Sequence, residues 1–127
     1  MKIGYVMQEG VEIRCPPFNG PANHVREVVQ GLVRRGHQVR VVVRVDGRIW
    51  RSDDLAEFVP VTAPSFDRGP LRFLERATRR VQSTLQLPYA AMWESLRFAD
   101  ACVQELRGFD VLYERIGWVA YGAGLAA

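Results

Sequence analysis

The stretch MKIGYVMQEGVEIRCPPFNGPANHVREVVQGLVRRGHQVRVVV, residues 1–43, predicts a strand, a loop, a helix and a second strand. Residues 3–7 form a short apolar run typical of a buried strand, and residues 15–21 contain three prolines, which exclude regular structure. Apolar residues at helical spacing follow, namely Val25, Val28, Val29 and Leu32. Residues 39–43 are too apolar for a strand at a solvent-facing edge. The pattern predicts a βαβ unit with parallel strands and a right-handed crossover.

The start of this helix is the first candidate for function. Gly20 is a plausible N-cap and Pro21 suits the first helical position, where a missing N–H has no cost. The N–H groups of Ala22, Asn23 and His24 would then point outward at the carboxyl end of the first strand, where open α/β sheets bind ligands. Such a helix end favours anions. Alternatively, Gly20 only lets the chain turn, since neither G-x-G-x-x-G nor G-K-[ST] is present.

Length and composition predict one soluble, globular domain of 127 residues with a sizeable core. The longest apolar runs fall well short of the roughly 18 residues that a membrane span needs. The chain starts with Met1 and Lys2 directly before a strand, without the pattern of a secretory signal, which predicts a cytoplasmic protein. Cys15 and Cys102 lie in unrelated contexts, so two free thiols are expected rather than a disulfide.

The segment after the βαβ unit predicts a small antiparallel addition to the sheet. Asp46 and Gly47 are a typical hairpin turn pair. Residues 58–61 predict a third strand, which Pro60 confines to an edge or an imperfect strand. Residues 63–69 predict a loop.

Two helices and a fourth strand are predicted next. A helix begins near Pro70 and carries an apolar stripe of Leu71, Leu74, Val81 and Leu85. Helical spacing returns over residues 92–106 and ends at Gly108, before an apolar strand over residues 109–113. Residues 117–127 have a helix-compatible composition that three glycines weaken.

Together these elements predict an α/β fold, a Rossmann-like three-layer sandwich with a mostly parallel sheet. The expected order is strand, helix, strand, hairpin, strand, two helices, strand, helix. A last helix without a following strand is unusual in doubly wound domains. We therefore expect residues 1–127 to be a single domain that is a fragment of a longer protein.

The net charge of +3 has a local origin. Residues 68–80 contain five arginines against Glu75 alone, so the rest of the chain is close to neutral. These arginines are Arg68, Arg72, Arg76, Arg79 and Arg80. The favoured interpretation is a solvated helix face whose apolar stripe packs on the sheet. The alternative is peripheral contact with an anionic membrane. Nucleic acid is disfavoured because recognition motifs and interleaved aromatic residues are missing.

Four segments resemble glycosyltransferase family 4, whose members share the two-domain GT-B architecture. Residues 19–21 (NGP), 24–25 (HV) and 32–39 (LVRRGHQV) are similar to the family's first loop, helix and entry to the second strand. Residues 110–115 (DVLYER) are similar to its fourth strand and following loop. The resemblance covers about half of the chain, and the middle matches only in general arrangement.

The resemblance implies positions for a site. Asn19 to Ala22 (Asn19, Gly20, Pro21 and Ala22) match the loop that faces the donor phosphates, with Asn19 where the family often has glycine. A histidine that many members carry after the fourth strand is replaced by Tyr113-Glu114-Arg115, so that role does not carry over. Arg115 could meet an anionic acceptor or phosphate, and Glu114 could orient a hydroxyl.

The candidates for an acceptor cleft are drawn from the loops and helix start around that edge. They are Glu9, Arg14, His24, Glu114 and Arg115. A solvated loop is the alternative for Glu9 and Arg14, and a solvated side chain is the alternative for His24. The residues show no credible metal cluster and no nucleophile triad.

The resemblance implies the N-terminal, acceptor-side part of an enzyme that moves a sugar from a nucleotide-sugar to an acceptor hydroxyl, with retention. The donor-binding C-terminal domain would be absent, so this part alone would be inactive. No metal or other cofactor is expected, and the acceptor could be a sugar, a lipid or a small molecule. A homodimer through the open cleft face is conceivable. The alternative is a non-catalytic Rossmann-like module that binds a nucleotide or anion.

Overall fold

The computed structural model describes residues 1–8, 10–85 and 92–115, and the elements in these residues follow the predicted order closely. In chain order they are β1 (Lys2–Met7), α1 (Gly20–Arg34), β2 (Gln38–Val45), β3 (Arg48–Ser52), β4 (Val59–Val61), α2 (Pro64–Asp67), α3 (Leu71–Thr84), α4 (Met92–Glu105) and β5 (Val111–Arg115). The helix predicted over residues 117–127 lies outside the described residues.

The strands form one open sheet in the order β4-β3-β2-β1-β5. β1 is parallel to both β2 and β5, whereas β3 pairs antiparallel with β2 and β4 with β3. The α/β class is confirmed, and the sheet is mixed, since its parallel part is limited to three strands. The predicted hairpin is confirmed as well, because Asp46 (φ 51°) and Gly47 (φ 73°) both have the positive φ of a tight hairpin turn.

Helices cover both faces of the sheet. Tyr5 and Met7 of β1 pack with Val25 and Val29 of α1 on one face. Val6, between them in sequence, packs on the other face with Phe98 of α4. This alternation is the period of two that a strand imposes. It buries β1 on both sides, as its uninterrupted apolar sequence predicted.

Of the predictions about the middle of the chain, one is wrong and two are confirmed. Residues 63–69, predicted as a loop, contain the short helix α2, which starts at Pro64, a residue that suits the first turn of a helix. The strand predicted over residues 58–61 is confirmed as the three-residue strand β4, and it lies at the edge of the sheet, where Pro60 can be tolerated. The helix predicted from Pro70 is confirmed as α3.

The favoured interpretation of α3 is wrong about its packing. The side chains of Leu74, Val81 and Leu85 are exposed, so the stripe does not pack on the sheet. Instead Glu75 is the buried residue of this helix. Its Oε2 accepts a hydrogen bond of 2.6 Å from Arg97 Nη2 on α4. A buried carboxylate must keep such a partner, and this requirement turns the polar side of α3 toward the domain.

Two further findings concern the cysteines and the apolar character of the helices. Cys15 is exposed, Cys102 is buried and both are free thiols, as predicted. Among the helices that the structure describes, none has the length and apolar character needed to cross a membrane.

Candidate functional site

The candidate site lies at the topological switch point of the sheet, where the strands that neighbour β1 are reached by connections to opposite sides. From β1 the chain passes through α1 to β2 on one side, while β5 joins β1 on the other. Ligands of open α/β sheets bind outside the carboxyl ends of the strands at such a switch point. Here those ends are Met7 and Arg115, which are partners in the β1–β5 register.

The amino end of α1 lies at this edge, and its cap differs from the prediction. Asn19, rather than Gly20, is the N-cap: its Oδ1 accepts from the Ala22 N–H at 2.9 Å. The Asn23 N–H donates to the Asn19 carbonyl at 2.9 Å. Two of the three N–H groups expected to be free for a ligand are therefore already bonded. The helix dipole remains as the source of anion affinity.

Arg115 supplies a full positive charge at the same place. Its Nη1 donates to the Pro21 carbonyl at 3.1 Å, across 94 residues of sequence. This contact joins the two parts of the predicted site, the amino end of α1 and the carboxyl end of β5. An arginine held by one of its five donors keeps the others for a carboxylate or phosphate.

A pair of tyrosines supports the strand end beneath Arg115. Tyr5 and Tyr113 are register partners in β1 and β5, and their rings stack with centroids 5.0 Å apart. Burial raises the pKa of the Tyr5 phenol, Tyr113 raises it further, and the charge of Arg115 opposes both. Arg115 therefore acts electrostatically on the α1 face of the sheet, where Tyr5 and Met7 also lie.

Glu114 belongs to the opposite face. It is the register partner of Val6, which packs on the α4 side. Burial raises the pKa of the Cys102 thiol on α4 to about 12, and the nearby charge of Glu114 adds to this effect. Glu114 and Arg115 were both predicted as cleft residues. Strand alternation places them on different sides of the sheet edge, so they cannot act as one adjacent pair.

Gln8 is a site residue that the sequence reasoning missed. It follows β1 directly and is 5% exposed, and its Nε2 donates to Ser95 Oγ of α4 at 2.9 Å. The sequence could have indicated Gln8, because a polar residue immediately after a buried parallel strand lies at the ligand-binding edge of the sheet. Gln8 extends the candidate site onto the α4 side, where Glu114 also lies.

Among the remaining predicted cleft residues, Arg14 is held away from this point by other partners. Arg14 binds Glu12 through two guanidinium nitrogens, lies 3.5 Å from Asp46 and stacks over the Trp50 ring at 4.5 Å. The hydrogen bond from Arg14 is the main cause that lowers the pKa of Glu12. These partners place Arg14 beside the β2–β3 turn. His24 is exposed on α1, and Glu9 lies outside the described residues.

Arg26 fixes the long loop that precedes α1. Its Nη1 donates to the carbonyls of Ile13 at 2.9 Å and Leu55 at 3.2 Å. The guanidinium also stacks over the Phe18 ring at 4.3 Å. Ile13 is fully buried, so the loop has its own anchor in the core. Periodicity could not reveal this clamp, because its partners are backbone carbonyls far apart in sequence.

The Asn19 cap gives a direct test of how the edge is built. Asn19→Ala should lower the free energy of unfolding by about 1 kcal/mol, because the Ala22 N–H loses its partner. Asn19→Asp should retain stability, since aspartate caps as well as asparagine. Urea unfolding followed by circular dichroism measures both. Asn23→Ala, one turn later on an exposed position, is the control. Equal losses in Asn19→Ala and Asn23→Ala would contradict the assigned cap.

The arrangement can hold an anionic oxygen and orient a hydroxyl. Arg115 and the α1 dipole provide the positive potential, and Gln8 and Glu114 provide hydrogen-bonding groups on the other side of the edge. Within residues 1–8, 10–85 and 92–115, no group of three or more histidine, cysteine or acidic side chains is arranged to hold a metal ion. No protein-family model matches the chain, and no curated protein or solved structure matches it.

Proposed function

We propose that this chain is the N-terminal, Rossmann-like, acceptor-side part of a GT-B glycosyltransferase. The parent enzyme would transfer a sugar from a nucleotide-sugar to an acceptor hydroxyl. One observation carries the proposal: Arg115 is bonded to the Pro21 carbonyl, which places a cation beside the amino end of α1 at the switch point of the sheet. The sequence resemblance of residues 19–21, 24–25, 32–39 and 110–115 to family 4 supplies the reaction class.

The proposed chemistry is mainly electrostatic. When the sugar departs, negative charge develops on the diphosphate leaving group, and a preorganised cation and a helix amino terminus stabilise it. Arg115 is preorganised in this sense because its contact with Pro21 already fixes its position. Glu114 would orient the acceptor hydroxyl, and the buried Gln8, bonded to Ser95, would support the same edge. Most contacts to the donor nucleotide would come from a second domain of the parent protein, as the resemblance implies.

The second candidate is a non-catalytic module that binds a nucleotide or anion. The same cation and helix end favour it, because they need no second domain to attract a phosphate. The two candidates differ in how tightly this chain alone binds a nucleotide. An acceptor-side part should bind weakly, whereas a dedicated module should reach micromolar affinity.

Calorimetric titration of the chain with UDP, GDP and their sugar conjugates separates these functions. We expect a Kd on the order of 1 mM or weaker, and a further loss of roughly tenfold in Arg115→Ala because a charged hydrogen bond is removed. Asn19→Asp should weaken binding without loss of stability, since it adds a negative charge to the same helix end. Arg34→Ala, at the distant end of α1, is the matched control.

Each result has a defined consequence. Micromolar binding that falls in Arg115→Ala would favour the binding module over the glycosyltransferase part. Binding that is the same in Arg115→Ala and Arg34→Ala would place the anion elsewhere and overturn the site. Weak binding is followed by a transfer assay on the full-length parent protein. In that assay Arg115→Ala should lower kcat, and unchanged transfer would refute the assigned role.

A further inference from the structure

One face of α3 is apolar and uncovered. The exposed fractions are 75% for Phe73, 51% for Leu74, 53% for Val81 and 61% for Leu85. Together with Ala77 these residues form one side of the helix, which we call the α3 apolar face. From Phe73 to Leu85 it extends for about 18 Å. Single exposed apolar residues are ordinary, but a continuous exposed helix face of this kind marks an interaction surface.

Arginines adjoin this face from the end of α2 to Arg80. Arg68, Arg72, Arg76 and Arg80 are exposed, and among the described residues they form no ion pair. Arg79 is different, since its Nη2 lies 3.0 Å from Glu75 Oε1. Three of these arginines lie on α3 and Arg68 lies shortly before it, so the helix has an apolar face beside unpaired positive charge. This arrangement is the one on which the membrane alternative in the sequence depends.

The orientation of α3 is set by its polar side. Glu75 binds Arg97 at 2.6 Å, and Arg97 also binds Asp67 of α2 at 3.0 Å. These contacts fix the helix to α2 and α4 through charges, and they leave the apolar side outward. The exposed face is therefore a consequence of specific ion pairs. The face is exposed although α3 is attached to the rest of the domain.

We propose that α3 binds the protein to an anionic membrane surface. Phe73, Leu74, Val81 and Leu85 would enter the boundary between headgroups and acyl chains, and the arginines would pair with lipid phosphates and carboxylates. Interfacial helices combine these two features, an apolar face and a basic polar face. The inference stands on α3 alone and is independent of the proposed function.

Charge selects a membrane over the other occupants. A second copy docked on the same face would bring two sets of unpaired arginines together, which is unfavourable. Nucleic acid would satisfy the arginines, but its phosphate backbone would leave three exposed aliphatic side chains, Leu74, Val81 and Leu85, without apolar contact. An anionic bilayer provides negative charge and apolar depth at the same surface.

Vesicle flotation with the complete chain tests the inference. The vesicles are phosphatidylcholine alone, or phosphatidylcholine with roughly a third phosphatidylserine. We expect binding to the anionic vesicles, at least about tenfold weaker binding to the neutral ones, and weaker binding as salt rises from about 0.1 to 0.5 M. A soluble short-chain phosphatidylserine below its micelle concentration distinguishes headgroup binding from binding to a bilayer.

Two double variants separate the apolar and charged contributions. Phe73→Ser with Leu74→Ser, and Arg72→Ala with Arg76→Ala, should each weaken flotation by roughly tenfold. Arg34→Ala with Arg35→Ala is the matched control, since it removes two exposed arginines from the end of α1 and should leave flotation unchanged. All variants change exposed side chains, and circular dichroism verifies that they are folded.

Three outcomes would overturn the proposal. The first is absence of flotation by the folded wild-type chain with anionic vesicles. The second is flotation that neither α3 variant weakens, which would locate membrane contact elsewhere. The third is a dimer, detected by light scattering without lipid, that Phe73→Ser with Leu74→Ser dissociates. That result would assign the α3 apolar face to a second copy of the chain.

Discussion

Phe98→Ala should lower the free energy of unfolding by about 4 kcal/mol. Phe98 is fully buried on α4, where it packs against Val6 of β1 and Val42 of β2. Truncation to alanine removes the ring from the centre of this layer and leaves a cavity that the rigid central strands cannot close. Urea unfolding at equilibrium, followed by circular dichroism, measures the loss. If the variant does not fold, Phe98→Leu should still show a loss of roughly 1 kcal/mol.

Phe73→Ala is the matched control for this prediction. The same chemical change is made on a neighbouring helix, but Phe73 is 75% exposed. We expect a change within about 0.5 kcal/mol, as for other surface substitutions. Similar losses in the two variants would mean that α3 packs through its apolar side. That result would contradict both the described orientation of α3 and the surface inferred from it.

Glu75→Gln should lower the free energy of unfolding by about 2 kcal/mol, the usual range for a hydrogen bond to a charged group. Glutamine has nearly the same shape, so the loss reports charge rather than packing. The affected contacts are those with Arg97 at 2.6 Å and Arg79 at 3.0 Å. Glu27→Gln, on an exposed position of α1, is the control and should have little effect. Equal effects of the two substitutions would contradict an anchoring role for Glu75.

The same residue predicts the direction of the acid response. The hydrogen bond from Arg97 is the main cause that holds the pKa of Glu75 below 4.5, its ordinary value. A carboxyl group with a lowered folded-state pKa stabilises the fold above its unfolded pKa. This stabilisation is lost as the pH falls through the folded-state pKa. Stability of the wild type should therefore decline below about pH 4.5, and the decline should be smaller in Glu75→Gln.

Much of the fold was predictable because local signals and burial agree. The apolar run over residues 3–7 and the helical spacing of Val25 and Val29 predicted β1 and α1, and both are central elements of the core. The Asp46-Gly47 pair predicted the hairpin, since its positive φ angles are a local requirement. In each case the residues whose pattern predicted the element are also the residues that pack it or turn it in the fold.

The parts that could not be predicted depend on contacts between distant residues. The apolar stripe of α3 predicted packing on the sheet, but the ion pair between Glu75 and Arg97 sets the orientation of the helix instead. The sequence analysis assigned the N-cap to Gly20, and the hydrogen bond from the Ala22 N–H to Asn19 Oδ1 assigns it to Asn19 instead. The register of β5 with β1 determines which face of the sheet each β5 side chain occupies, and it places Glu114 and Arg115 on opposite faces.

The two edges of the sheet differ in how readily another strand can pair with them. Among the described strands, β4 ends one side of the sheet and contains Pro60, which has no N–H to offer a neighbouring strand. β5 ends the other side without proline, and Val111 and Tyr113 are half exposed there. Pro60 removes one backbone donor from the β4 edge, whereas β5 keeps all of its N–H groups, so the β5 edge is the one that favours an added strand. Extension of the sheet would thus occur next to Arg115, so the edge that can recruit another segment also carries the candidate site.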